Sequence, residues 1–89
     1  MASEPLPLML VTAPDCHLCA HARAVLARLA GEHALLIEER PWNDAEASAW
    51  VRRDGVPFPP ALYLAGRLCA YGRLSEGRLR RLLAKGGPA

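Results

Sequence analysis

The feature that most constrains this chain is Cys16-His17-Leu18-Cys19, two thiols three residues apart directly after a short apolar run. That run, Leu8 to Ala13, has no polar alternation, as in a strand buried on both faces, and Pro14-Asp15 ends it. From Cys16 to Ala30 the residues Leu18, Ala22, Val25, Leu26 and Leu29 recur at helical spacing, and Gly31 is placed to stop the helix. A Cys-x-x-Cys spelling means little by itself. Its place where a buried strand turns into a helix gives it weight. The first helical turn carries unpaired backbone N–H groups and the positive end of the dipole, and both favour a thiolate over a thiol. Cys16, at the outer end of that turn, is expected to be accessible and to attack. Cys19, facing inward, is expected to resolve the mixed disulfide. A disulfide closing so small a ring constrains little chain, so it is a reversible device rather than a staple.

The rest of the chain alternates in kind. Ala34 to Glu38 is a second apolar run, bounded by Arg40-Pro41. Asn43 or Asp44 is expected to cap a helix carrying Ala47, Trp50 and Val51, with Arg52 and Arg53 in its last turn. Gly55 to Pro60 is too rich in proline for a regular element. Ala61–Leu64 and Arg67–Tyr71 flank Ala65-Gly66, a two-residue hairpin connection. Ser75 is expected to cap a last helix with Leu79, Leu82 and Leu83 on one face, ended by Gly86-Gly87-Pro88. The order βαβαββα predicts an α/β fold: a right-handed parallel βαβ unit, with the hairpin completing a four-stranded mixed sheet flanked by helices. Residues 1–89 form a single domain in this reading, with 1–6 and 86–89 as flexible termini.

Composition removes several classes of function. Half of the 89 residues are apolar (52%), enough for a modest core without staples. No run of about 18 apolar residues exists to span a membrane. Met1 to Leu10 carries Glu4 and no Lys or Arg, so it does not read as a signal peptide. Three cysteines are too few for a secreted disulfide framework, which points to redox or metal chemistry in a cytoplasmic setting. The net charge of +2 selects no partner. The basic residues Arg78, Arg80, Arg81 and Lys85 read as a solvated helix face or, alternatively, as a patch that attracts an acidic small molecule or protein partner. With only Tyr63 and Tyr71 nearby, they do not suggest nucleic-acid binding.

A closed zinc site needs four convergent ligands. Cys16, His17, Cys19 and His21 lie close in sequence but point different ways from one helix, and His33 and Cys69 stand apart. A metal or iron–sulfur cluster held through Cys16 therefore remains an alternative to redox catalysis, as does a low-turnover, partner-specific adaptor. Beside the cysteines, His17 adds positive charge when protonated, and Asp15 is expected to be the helix N-cap. Leu18 packs or meets a partner. Cys69 is expected to be a buried small hydrophobe, and Trp42 and Trp50 to pack at the core or its edge.

In this order, three features resemble the thioredoxin superfamily over nearly the whole chain. They are Cys16-His17-Leu18-Cys19, the stretch Gly55-Val56-Pro57-Phe58-Pro59-Pro60-Ala61, and Gly72-Arg73-Leu74-Ser75-Glu76-Gly77-Arg78-Leu79. Lacking an extra N-terminal strand and helix, and with a short hairpin, the chain is similar to small bacterial glutaredoxin-like proteins. The resemblance implies a thioredoxin-like, glutaredoxin-type fold and a thiol–disulfide oxidoreductase with Cys16 and Cys19 catalytic. It also implies substrate contacts from His17, Leu18, Pro59 and Pro60. Beyond the Cys16–Cys19 disulfide it implies no cofactor and no metal. The implied partners are a disulfide-containing protein or small thiol, with a reductase or glutathione as electron donor, and the implied state is a cytoplasmic monomer. Spacing places the family's cis-proline at Pro60 rather than Pro57, and a cis X–Pro bond costs only about 0.5–1 kcal/mol over trans. Pro59, before it, offers a C=O but no N–H. The Gly-Gly-acidic stretch by which typical glutaredoxins hold glutathione is missing, and so is the Trp-Cys-Gly-Pro-Cys of thioredoxin.

Overall fold

The computed structural model describes residues 4–85. The elements are β1 (Leu6–Thr12), α1 (His17–Ala30), β2 (Leu35–Pro41), α2 (Ala45–Arg53), β3 (Ala61–Leu64), β4 (Arg67–Tyr71) and α3 (Glu76–Ala84). They form one four-stranded sheet in the order β2-β1-β3-β4. β1 runs parallel to β2 and antiparallel to β3, and β3 pairs antiparallel with β4, giving the mixed sheet expected.

Of the termini expected to be flexible, residues 1–3 and 86–89 lie outside the described residues, as does the Gly86-Gly87-Pro88 stop. Leu6 belongs to a strand. It opens β1 opposite Leu35, and its N–H donates to the Ala34 carbonyl at 2.9 Å. Leu6 packs partly on the core on the α1 side, whereas Pro7 is exposed.

Alternation along β1 and β3 divides the core in two. Leu8 and Leu10 of β1, with Leu62 and Leu64 of β3, meet Ala22, Val25, Leu26 and Leu29 of α1 and Leu79 and Leu83 of α3. On the opposite face Met9, Val11, Ala61 and Tyr63 meet Ala47 and Val51 of α2, with Trp42 and Trp50 packed at the edge. Each fully buried leucine contributes about 1.5–3 kcal/mol. β1 is apolar on both faces because it has helices on both sides.

β2, formed from the second apolar run, is not buried as β1 is. It is the outer strand, and Leu36 is 63% exposed. The buried residues of α2 pack on β1 and β3 and leave β2 largely uncovered.

Local chemistry ends the elements as expected. Asp44 caps α2, its carboxylate accepting from the Ala47 N–H at 3.0 Å, and Ser75 caps α3, its hydroxyl accepting from the Arg78 N–H at 3.2 Å. The hairpin turns through Ala65 (φ 50°) and Gly66 (φ 81°), the doubly left-handed conformation that matches strand twist. The basic face of α3 is not wholly solvated. Arg80 pairs with Glu32 and Glu76, and Arg28 of α1 also pairs with Glu76, so these charges tie α1 to α3.

Candidate active site

α1 begins on Cys16, whose extended backbone (φ −110°, ψ 107°) makes it the N-cap. Its sulfur accepts the Cys19 backbone N–H at 3.1 Å. This corrects the role expected for Asp15, which lies exposed in the preceding turn at φ 53° and does not cap the helix. With Asp15 turned left-handed, the chain delivers a sulfur, rather than a carboxylate, to the first helical turn. Cys16 and Cys19 are joined as a disulfide, Cα to Cα 5.1 Å. Cys16 is half-buried and Cys19 fully buried. His17 is exposed and Leu18 half-buried.

The second half of the site comes from the loop before β3. The cis peptide falls between Pro59 and Pro60, as the spacing predicts. Ala61 follows directly and pairs with Val11, one residue from the end of β1, so this loop and the cysteines share one end of the sheet. Pro60 is buried and Pro59 half-buried, and the Pro60 carbonyl accepts the Gly72 N–H at 2.7 Å.

Sequence reading missed the aromatic pair on this rim. Phe58 and Tyr71, each about half exposed, meet edge to face at 5.8 Å between ring centres. Gly72 (φ 71°) permits the arrangement, because a Cβ there would sit 2.9 Å from Phe58 Cε1. The available signal was Tyr71 closing a strand opposite Ala61, which places it beside the proline loop once the hairpin register is known.

Behind the cysteines, Glu39 of β2 joins three elements. Its carboxylate accepts from Thr12 Oγ1 at 3.0 Å and from Arg23 of α1 at 2.8 and 2.7 Å. The Arg23 hydrogen bonds hold the Glu39 carboxyl below the usual carboxylate range, against partial burial that pushes it up; Thr12 adds to the lowering.

Cys69 is half-buried rather than fully buried. The β3–β4 register shifts between Leu62 and Tyr63, leaving Cys69 as the extra residue of a β-bulge. Burial pushes its thiol up, opposed by a backbone hydrogen bond. Among the described residues, no group of three or more His, Cys, Asp or Glu converges as a metal site would require, and no helix is long and apolar enough to cross a membrane.

A disulfide at the N-terminus of the first helix of a four-stranded mixed sheet, with a cis-proline from the opposing loop, defines a thioredoxin-fold redox site. No protein-family model matches the sequence. A curated protein described as a probable thioredoxin, from Archaeoglobus fulgidus, is 31% identical over 78 residues, spanning 88% of this chain and 86% of that protein. The chain belongs to the thioredoxin family and is a thiol–disulfide oxidoreductase. Two solved structures share the fold. A mutant thioredoxin from Halobacterium salinarum NRC-1 matches with a TM-score of 0.68 at 20% identity, over 97% of this chain and 78% of that one. Thioredoxin-2 of the malaria parasite, described as a component of its protein secretion machinery, matches at 0.67 and 15% identity, over 96% and 86%.

Proposed function

We propose that Cys16 attacks substrate disulfides and Cys19 resolves the mixed disulfide, with His17, Leu18, Pro59 and Pro60 contacting the substrate. In the forward step the Cys16 thiolate bonds one substrate sulfur and the other leaves as a thiol. Cys19 then attacks Cys16, releases the second substrate thiol and leaves the Cys16–Cys19 disulfide. An external dithiol donor or reductase restores the reduced pair, in keeping with a reducing, cytoplasmic setting.

The observation that carries this division of roles is the contrast in burial. Cys16 is half-buried at a helix N-terminus, where backbone N–H groups favour a thiolate, whereas Cys19 is fully enclosed.

Protein disulfides fit the site better than glutathione does. Pro59 cannot donate a backbone hydrogen bond to a substrate, and the acidic stretch that typical glutaredoxins use is missing. The curated relative bears a thioredoxin name, which also favours this reading over a glutaredoxin-type specificity.

A short pulse of alkylating agent on the reduced protein at neutral pH tests the roles. Label is expected on Cys16 first, with Cys19 and Cys69 slow, and a Cys19→Ser variant is expected to accumulate mixed disulfides through Cys16. Predominant label on Cys19 overturns the assignment.

A further inference from the structure

β4 is an outer strand, and between it and the start of α3 runs a groove of about 310 Å³. Leu68, Cys69 and Tyr71 line it from the strand, and Arg73, Arg78 and Leu79 from the other side. No acidic side chain lines it. Five arginines elsewhere hold carboxylates, whereas among the described residues Arg52 and Arg81, like the two here, do not. Arg23 pairs with Glu39, Arg28 with Glu76 and Arg80 with Glu32 and Glu76. Arg40 holds Glu38, Asp44 and Glu46, and Arg53 holds Asp54. Arg73 and Arg78 have no ion-pair partner among the described residues, and both are exposed.

The groove is continuous with the redox site. Tyr71 lines it while stacking edge to face on Phe58, one residue before Pro59-Pro60, and the neighbouring Gly72 N–H is bonded to the Pro60 carbonyl. A substrate segment leaving the proline loop would cross the apolar Phe58–Tyr71 shelf and arrive between the two guanidinium groups. We propose that this groove docks an extended acidic segment of the protein substrate, its carboxylates meeting Arg73 and Arg78. The proposal rests on the substrate-disulfide reading above and adds the chemistry of the sequence flanking that disulfide. The bulge at Cys69 interrupts the edge of β4, so backbone pairing can use only the end of the strand. Charge is therefore the selecting feature.

The test compares two synthetic peptides, each with one internal disulfide, whose flanking residues are glutamates in one and glutamines in the other. Dithiothreitol regenerates the enzyme. At low salt kcat/KM for the acidic peptide is expected to be about five- to tenfold higher, as for two rim ion pairs, with the gap closing as salt rises. In Arg73→Gln/Arg78→Gln the ratio is expected to fall to about one, while Arg52→Gln, an exposed arginine on α2, leaves it unchanged. A ratio of one in the native protein, or a preference that survives the double substitution, overturns the proposal. Binding is read separately by titrating cysteine-free versions of both peptides against backbone amide resonances. Shifts along β4 and early α3 with the acidic peptide alone support the groove even if neither disulfide is reduced, a result that would instead defeat the redox reading. Equal or absent shifts overturn the groove.

Discussion

The backbone N–H of Cys19 donates to the sulfur of Cys16 at 3.1 Å, so the residue proposed as nucleophile is also the cap of the helix that carries its partner. Redox chemistry and helix stability are therefore linked through one atom. When the sulfur is a thiolate the bond becomes charge-assisted and stronger. In the reduced protein Cys16→Ser should keep the cap, since a serine oxygen is among the best acceptors at this position, and Cys16→Ala should lose it. Chemical denaturation in reductant is expected to place Cys16→Ala about 0.5–2 kcal/mol below Cys16→Ser. Both should be inactive in disulfide reduction. Equal stability of the two would mean that the cap contributes nothing.

Glu39 should make itself felt at acid pH. Its carboxyl is depressed in the folded chain chiefly by the Arg23 hydrogen bonds, so the folded pKa lies below the unfolded one. The stabilisation this gives is complete above the ordinary glutamate range, near pH 4.3, and is lost as pH falls through the lower folded value. Glu39→Gln removes it. The pair is nearly half exposed (48% and 41% for the two side chains), so solvent screening limits the effect to roughly 0.5 kcal/mol at pH 7. Denaturation midpoints of native and Glu39→Gln protein should differ at pH 7 and converge as pH falls below the ordinary glutamate range. A constant difference across that range would show that the charge is not the cause.

What the sequence reveals here is local, and what it conceals is long-range. The strand–Cys16–helix junction and the proline bond at Pro60 follow from spacing within a dozen residues, so they are legible. The cap falls at Cys16, one residue beyond Asp15, because any small polar side chain before a helix looks like a cap and only backbone geometry shows which one turns left-handed. Leu35-Leu36-Ile37 reads as a second apolar run, but its burial depends on which strand ends the sheet, and pairing order is not written in the run itself. Glu39 meets Arg23 and Thr12 across 16 and 27 residues. No local periodicity announces such a junction. Phe58 and Tyr71 meet only because the hairpin register sets Tyr71 against Ala61.

Gly72 should be intolerant of a side chain for two separable reasons. Its φ of 71° strains any L residue, and a Cβ would sit 2.9 Å from Phe58 Cε1. Gly72→Ala is expected to cost about 1–3 kcal/mol in total. In a Phe58→Ala background the ring is gone but the φ penalty stays, so the same substitution should cost less there. The difference, read as a double-mutant cycle, isolates the contact. If Gly72→Ala costs the same in both backgrounds, the aromatic ring yields freely and backbone conformation alone fixes the glycine.

Pro59 is expected to limit use of glutathione. The loop before Pro60 can accept a backbone hydrogen bond from a substrate but donate none, since Pro59 has no N–H. A missing neutral hydrogen bond is worth roughly 0.5–1.5 kcal/mol, and more where the unpaired carbonyl is left dry. The upper end of that range is about tenfold in affinity. A tripeptide such as glutathione has few other contacts with which to offset the loss, whereas a protein substrate bound as proposed would spread its binding over Phe58, Tyr71 and the surface beyond. Pro59→Val restores the donor and leaves Pro60 in place. Glutathione-coupled reduction of a small mixed disulfide should then rise several-fold, and dithiothreitol-coupled reduction of a protein disulfide should change by less than twofold. Should the variant be no faster with glutathione, the limit lies elsewhere. The charged side chains on the rim would then be the next place to look, and Arg73, beside the aromatic pair, is the one to substitute first.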